Sequence, residues 1–146
     1  MRANPARPRS KEPRNISHPS SRGCMRDYRK LDVWHKAHAL AVLAYKATMR
    51  MPRAHGSLAS QMRRSVSSVP TNISEGCGHD GSRQLAKYLG DSCASSNEFE
   101  YQILLARDVG VMTPALHAEL NGRIQEVRRM LVSLRRTIRR EAEREK

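Results

Sequence analysis

The chain has 146 residues, a net charge of +13 and a sequence pI of about 10.6. This length fits one domain with one core, and so large a positive charge favours an anionic partner, most often nucleic acid. Aromatic residues make up only 4% of the chain, which argues against a platform for base stacking. The longest apolar run, residues 39–45, is too short to cross a bilayer, so we expect no membrane span.

The cysteines and histidines predict no disulfide framework and no metal site. Cys24, Cys77 and Cys93 include no CxxC pair and form an odd set, so we expect reduced thiols in a cytoplasmic protein. His35 and His38 lie one helical turn apart, but no third ligand follows at a suitable spacing. We therefore expect neither a metal nor another cofactor.

The first 26 residues differ from the rest in composition. They contain four prolines, six arginines, one lysine and a single acid, Glu12. Almost no apolar residues are present to offset the entropy of ordering this segment. We therefore predict a disordered basic tail over residues 1–26 and a folded domain over residues 27–146. Two interpretations of the tail stay open: translation could start at Met25, or the tail could be a flexible arm that adds non-specific affinity.

The first predicted helix spans about residues 32–50 and has a wide apolar surface. Spacings of three and four residues predict one buried face. The stripe expected to be buried consists of Leu31, Trp34, His38, Ala41, Tyr45 and Thr48. A second apolar stripe beside it consists of Val33, Ala37, Leu40 and Ala44.

The second predicted helix spans about residues 57–75. Its inward positions are Leu58, Met62, Val66, Val69 and Ile73. Pro70 lies inside the helical pattern, where it removes one backbone donor and is expected to bend the helix. Gly76 and Gly78 are expected to end the helix.

The third and fourth predicted helices complete an all-α fold. The third spans about residues 82–109, and small polar residues in its middle would let a neighbouring helix approach closely. Its inward positions are Leu85, Leu89, Ser92, Ser96, Phe99, Ile103 and Ala106. The fourth begins with Thr113 as its cap and Pro114 at its first position, and it runs to about Arg144. No alternating strand pattern is found, so we predict an up-down-up-down antiparallel four-helix bundle.

Arginines on two helices are the candidate nucleic-acid-binding residues. Arg63 and Arg64 point about 100° apart on their helix, so at most one of them can lie along the edge of the core. The outward arginine suits phosphate contact, although pairing with Glu75 or Glu98 inside the bundle is the alternative. The candidates on helix 4 are Arg128, Arg129, Arg135, Arg136, Arg139 and Arg140.

The acids close to the helix-4 arginines are few. They are Glu126, Glu141, Glu143 and Glu145. Like charges at this density are unfavourable without a counter-charge, which favours a surface for a polyanion. The alternative is an ordinary solvated helix face.

Asn72, Glu75 and Glu98 are the candidates for acid–base chemistry. Such chemistry needs groups that converge on an open cleft, whereas these residues fall on helix flanks near Pro70. We interpret them as a structural polar network that satisfies backbone and arginine donors. No catalytic residue is therefore predicted.

Three runs of sequence resemble a known family. They are LDVWHKAHALA (residues 31–41), QMRRSVSSVPTNISEG (61–76) and KYLGDSCASSNEFE (87–100). They are similar to four-helix bundle proteins often encoded in intervening sequences of large-subunit ribosomal RNA genes. The accessory variability determinant proteins of diversity-generating retroelements resemble the same family. The similarity covers about residues 28–134.

The resemblance implies a bundle that assembles into a ring, a pentamer in characterised relatives. Such rings carry a basic surface and bind nucleic acid, with no known enzymatic activity. The family's basic pair falls on Arg63 and Arg64, its Asn and Glu on Asn72 and Glu75, and its helix-three acid on Glu98. One departure is the run at residues 90–92, Gly-Asp-Ser, which is more polar than in the family.

These observations lead to two functional hypotheses. The first is a non-enzymatic protein that binds the RNA or DNA backbone as a ring-shaped homo-oligomer, expected to be a pentamer. The second is an accessory adaptor that binds a reverse transcriptase and its RNA in a diversity-generating retroelement. A membrane-surface protein ranks last, because the helices lack the large aromatic or leucine face that interfacial helices insert.

Overall fold

Four helices form the part of the chain that the computed structural model describes, residues 26–146. Residues 1–25, which carry most of the predicted tail, lie outside the described residues. The helices are α1 (Asp32–Thr48), α2 (Gly56–Gly78), α3 (Ser82–Asp108) and α4 (Pro114–Arg144). Three-residue 3-10 turns precede α1 at Tyr28–Lys30 and α2 at Arg53–His55.

Each helix packs against two neighbours around one core. α2 contacts α1 and α3, and α4 contacts α3 and α1. Short links join consecutive helices, and residues 26–146 contain no strand. The prediction of an all-α, up-down-up-down four-helix bundle is confirmed. Phe99, which is fully buried, is the largest side chain of the core.

α1 buries mainly the second of its two apolar stripes, and in the first stripe only Ala41 and Thr48 are buried. Ala37 is 1% exposed and Ala44 is 0% exposed, and both belong to the second stripe. In contrast, His38 and Tyr45 are exposed and Trp34 is only half-buried. The small alanines let α1 lie close to its neighbours, so the larger aromatic side chains remain at the edge, where their polar ends reach water.

α2 continues through Pro70 and ends at Gly78. The prediction that Gly76 helps to stop the helix is wrong, because Gly76 is buried within it. A Cβ atom at Gly76 would lie 2.8 Å from the Cβ of Tyr88 and 3.0 Å from the Cδ1 of Leu85. The missing side chain therefore allows the last turn of α2 to approach the start of α3.

The small polar residues of α3 face the core, as predicted. Ser92 and Ser96 are both fully buried. The Ser92 hydroxyl donates a hydrogen bond of 2.6 Å to the backbone carbonyl of Val69 on α2. A second buried contact joins the same two helices, where the Ser65 hydroxyl donates to the Gln102 side-chain oxygen at 2.5 Å. These bonds satisfy polar groups that burial would otherwise make unfavourable.

α4 begins as predicted. The Thr113 hydroxyl oxygen accepts a hydrogen bond of 3.2 Å from the backbone N–H of Leu116, which satisfies one of the free donors of the first turn. Pro114 occupies the first helical position, where its missing N–H has no partner to lose.

Arg26 is anchored to the bundle, although the sequence assigned it to the tail. Its backbone N–H donates to the Cys77 carbonyl at 3.0 Å, and its guanidinium forms an ion pair with Glu141 on α4. Arg26 therefore contacts both α2 and α4.

Candidate nucleic-acid interface

α4 separates an apolar face from a cationic one. Its buried residues recur at spacings of three, four and seven, which is the pattern of an amphipathic helix. They are Leu120, Ile124, Val127, Leu131 and Ile138. The predicted arginines fall between these positions: Arg129, Arg136, Arg139 and Arg140 are exposed, whereas Arg128 and Arg135 are partly buried.

Two acids near the arginines bind cations on other segments. Glu126 accepts a hydrogen bond of 2.7 Å from the Lys36 ammonium group on α1. This bond holds the pKa of the Glu126 carboxyl below its usual value. Glu141 pairs with Arg26, the first of the described residues. Neither carboxylate forms an ion pair with an arginine of α4.

Glu145 caps α3. Its carboxylate accepts hydrogen bonds from the Ser82 hydroxyl at 2.6 Å and from the Ser82 backbone N–H at 3.2 Å. The side-chain bond, followed by the backbone bond, lowers the pKa of Glu145. A carboxylate at the first turn of a helix is stabilising, because free N–H groups and the helix dipole face it. The Glu145 carboxylate is therefore bound to the first turn of α3.

The result is a strip of arginines that mostly lack an ion pair, although the Glu143 carboxylate lines the same surface. Among residues 26–146, five of the six predicted arginines of α4 have no carboxylate partner. We call them the α4 arginine face: Arg129, Arg135, Arg136, Arg139 and Arg140.

Arg128 is the exception on α4. Its guanidinium pairs with Glu100 on α3 and donates a hydrogen bond of 2.9 Å to the Asn97 side-chain oxygen. Both partners of the ion pair are partly buried, with side chains 25% and 32% exposed. This arginine therefore joins α3 to α4, and no sequence pattern indicated its partner, 28 positions earlier in the chain.

Arg135 lies flat against α3. Its Nε–H donates to the Ala86 carbonyl at 3.2 Å. Gly90 makes room for the guanidinium, because a Cβ atom there would lie 2.8 Å from an Nη atom and 2.9 Å from Cζ of Arg135. The polar run that departs from the family pattern thus accommodates a cation.

Arg63 and Arg64 lie apart from this face and differ from each other. Arg63 is half-buried and donates to the Thr48 hydroxyl on α1 at 3.1 Å. Arg64 is exposed and, within the described residues, its side chain has no hydrogen-bond partner. Neither arginine pairs with Glu75 or Glu98 in this part of the chain. Arg64 is therefore the more accessible of the two for an external anion.

Asn72, Glu75 and Glu98 do not come together. The Asn72 amide donates to the Ser68 carbonyl at 2.9 Å, and Glu98 accepts from the Gln102 amide at 3.3 Å. The Glu75 side chain is exposed. The buried polar contacts of the bundle are instead the serine bonds between α2 and α3. Serines at inward positions of the α3 pattern were the available sequence signal.

An apolar groove between α1 and α2 was not predicted. It has a volume of about 520 Å³. The ring of Trp34 stacks on His38 with centroids 5.1 Å apart and packs at a tilt of 54° against Tyr28 with centroids 4.8 Å apart. The residues that define this α1–α2 groove are Tyr28, Trp34, His38, Tyr45, Met49 and Pro70. The side chains expected in the core of α1 line this surface instead.

The described residues offer little for catalysis. Burial raises the pKa of the Cys77 and Cys93 thiols, so both are weak nucleophiles at neutral pH. Across residues 26–146, no three metal-ligating side chains converge. The helices of this same part of the chain include none with the length and apolar character needed to cross a membrane.

Comparisons with known proteins agree with the resemblance at the level of family and fold. A crystal structure of a protein of unknown function from the S23 ribosomal protein family of Bacteroides thetaiotaomicron superimposes with a TM-score of 0.68 and 21% identity, covering 71% of this chain and 95% of that one. No curated protein matches the chain. The relation to diversity-generating retroelements stays a prediction. The sequence profile of the 23S rRNA-intervening sequence proteins matches residues 29–133, and the chain belongs to that family.

Proposed function

We propose that this protein is a non-enzymatic, nucleic-acid-binding bundle that acts in the cytoplasm and contacts the phosphate backbone. The observation that carries the proposal is the α4 arginine face, near which Glu126, Glu141 and Glu145 bind partners on other segments. The five guanidinium groups, of which only that of Arg135 is partly buried, lie along one helix and repel one another. A polyanion removes that repulsion and releases its own counterions on binding.

Backbone binding fits these side chains better than base reading. Arginine presents a planar fork of donors that matches phosphate oxygens. Three of the chain's six aromatic side chains, Tyr28, Trp34 and Tyr45, line the α1–α2 groove instead of the arginine face. Sequence-independent binding is therefore expected. The family description refers to 23S rRNA, so RNA is the first nucleic acid to test.

We further propose that the protein forms a ring-shaped homo-oligomer, a pentamer by family resemblance. Exposed apolar side chains occur at the end of α1 (Tyr45, 39%, and Met49, 77%, directly after the helix) and on α3 (Tyr101, 63%; Leu104, 37%). These two helices do not touch within the described residues. Contact between two different patches is head-to-tail, which closes into a ring when the rotation allows. A ring would join the arginine faces and raise avidity.

An adaptor for a reverse transcriptase is the second proposal. The α1–α2 groove favours a protein partner, because exposed apolar surface of this kind usually marks an interaction site. A reverse-transcriptase gene and a template repeat beside this gene would support the adaptor. Their absence would remove this alternative.

A salt titration tests the proposed nucleic-acid binding. A labelled single-stranded RNA and a duplex of the same length are titrated with protein, and fluorescence anisotropy reports the affinity. With six or more phosphate contacts, affinity should fall about 10³-fold between roughly 50 and 200 mM salt. A flat response to salt, or no binding at low salt, would contradict the proposal.

A further inference from the structure

A cationic cleft lies between the start of α3 and the end of α4. Its volume is about 630 Å³. Five of its side chains are cations and one is an acid. The residues that define this α3–α4 cleft are Arg83, Lys87, Arg135, Arg139, Glu143 and Lys146. The cleft includes two members of the α4 arginine face and adds three cations that the sequence did not single out.

The cations of the cleft are unequally engaged. Lys87 pairs with Asp91 at 3.2 Å and lies 4.7 Å from the centre of the Tyr88 ring, so its charge is partly compensated. Among residues 26–146, Arg83, Arg139 and Lys146 form no ion pair. The cleft therefore keeps an excess of positive charge.

Arg135 differs from the other cations because α3 holds it in place. Its Nε–H is bound to the Ala86 carbonyl at 3.2 Å, and its guanidinium occupies the space that a side chain at Gly90 would fill. Only one of its five N–H donors is used in this bond. The four Nη donors remain for a ligand, and little rotamer entropy is lost on binding because the side chain is already fixed.

We propose that the α3–α4 cleft holds a phosphate of the nucleic-acid backbone, with Arg135 as its preorganised anchor. The proposal rests on the proposed function and deepens it. Arg135 offers a bidentate contact to two phosphate oxygens, while Arg83 and Arg139 supply further charge at the rim of the cleft. Such a site fixes the register of the nucleic acid on the bundle, which an exposed strip of arginines does not do.

Two glycine substitutions test this site without changing the charge of the protein. Gly90→Ala places a methyl group where the Arg135 guanidinium lies and displaces the end of that side chain from its site on α3. Gly122→Ala is the matched control, because Gly122 is also inside a helix but nothing lies within 4 Å of its missing Cβ. Both variants should keep wild-type helicity and cooperative melting.

The expected result is a difference in affinity between the two variants. Gly90→Ala should bind a labelled RNA about tenfold more weakly than wild type, as loss of a charged hydrogen bond predicts, and Gly122→Ala should bind as wild type does. If Gly90→Ala fails to fold, Arg135→Lys replaces it and should weaken binding severalfold, since lysine keeps the charge but lacks the fork. Equal affinity of either test variant and wild type would overturn the proposal.

The same experiment separates this proposal from the broader one. Wild-type binding with a steep salt response, together with full binding by Gly90→Ala, would contradict only the proposal that the cleft holds a phosphate. Absence of wild-type binding would remove both proposals. Competition at constant ionic strength identifies the source of the phosphate: unlabelled RNA should displace the probe far better than inorganic phosphate. Equal displacement, mole for mole, would assign the cleft to a small phosphate ligand and overturn the assignment to nucleic acid.

Discussion

The α1–α2 groove and the α3–α4 cleft are similar in size but opposite in chemistry. They have volumes of about 520 and 630 Å³, and each lies between two consecutive helices. Aromatic and apolar side chains line the first, whereas cations line the second. One bundle thus places a surface suited to a protein neighbour on one pair of helices and a surface suited to phosphate on the other. Four expected outcomes would break or sharpen this comparison.

The largest expected effect concerns assembly through the α1 side. Met49→Asp introduces a charge into the exposed patch beside the α1–α2 groove and should reduce the mass in solution from that of the oligomer to that of the monomer. Val132→Asp is the control, because Val132 is 45% exposed on α4 and lies outside both apolar patches. Light scattering after size-exclusion chromatography measures both. A monomeric wild type, or an oligomer that persists in Met49→Asp, would contradict this interface.

The second outcome contrasts two glycines that face different neighbours. Gly76→Ala should lower the free energy of unfolding by about 1–3 kcal/mol, because overpacking forces apart two helices that are tied into the core. Gly90→Ala should change it by no more than about 1 kcal/mol, since a flexible arginine moves and helix propensity improves. Urea denaturation measures both changes. Similar losses in the two variants would mean that the Arg135 side chain cannot move.

The third outcome separates a structural arginine from an exposed one. Arg128→Ala should lower the free energy of unfolding by about 1 kcal/mol, because Glu100 is left partly buried without its partner. Arg129→Ala should leave stability unchanged and weaken RNA binding. Urea denaturation measures the stability of each variant, and fluorescence anisotropy on the same samples measures its RNA binding. Equal stability of the two variants would show that the bridge between α3 and α4 contributes little.

The smallest expected effect is a pH dependence of stability that comes from Glu145, which binds the start of α3. The pKa of Glu145 is lowered in the folded protein by its bonds to Ser82. The contribution of Glu145 to folding stability is therefore fully present above the ordinary glutamate pKa and is lost as pH falls through the depressed pKa of the folded protein. Wild type should melt slightly above Glu145→Gln at pH 7, and the difference should disappear in acid. A difference that grows on acidification would contradict the assigned hydrogen bonds.

Much of this fold could be predicted from hydrophobic spacing. The inward stripe predicted for α3 agrees with burial, because this helix has one apolar face. The buried face of α1 was harder to predict, because α1 has two adjacent apolar stripes and spacing alone does not choose between them. The structure buries the stripe richer in alanine, a result of close approach between helices that depends on the neighbouring residues. The aromatic side chains consequently line a groove that the sequence did not reveal.

The candidate interface was predictable in part. The exposed arginines of α4 follow from the same periodicity that defines its buried face. Their individual roles do not, because an ion pair depends on which residues the fold brings together. Packing of α3 against α4 brings Arg128 next to Glu100 and places the Arg135 guanidinium in the space beside Gly90. Likewise, Asn72, Glu75 and Glu98 lie close in the helical pattern but have separate surroundings in three dimensions.

Two triple variants of equal charge test most directly whether the α4 arginine face binds nucleic acid. Arg136, Arg139 and Arg140 are changed to Gln in one, and Lys46, Arg50 and Arg53 in the other. Each loses three positive charges. The dependence of log affinity on log salt concentration should become shallower by about 2–3 in the first variant and stay near wild type in the second. Equal loss of affinity and slope in both would show that overall charge, not this face, attracts the polyanion.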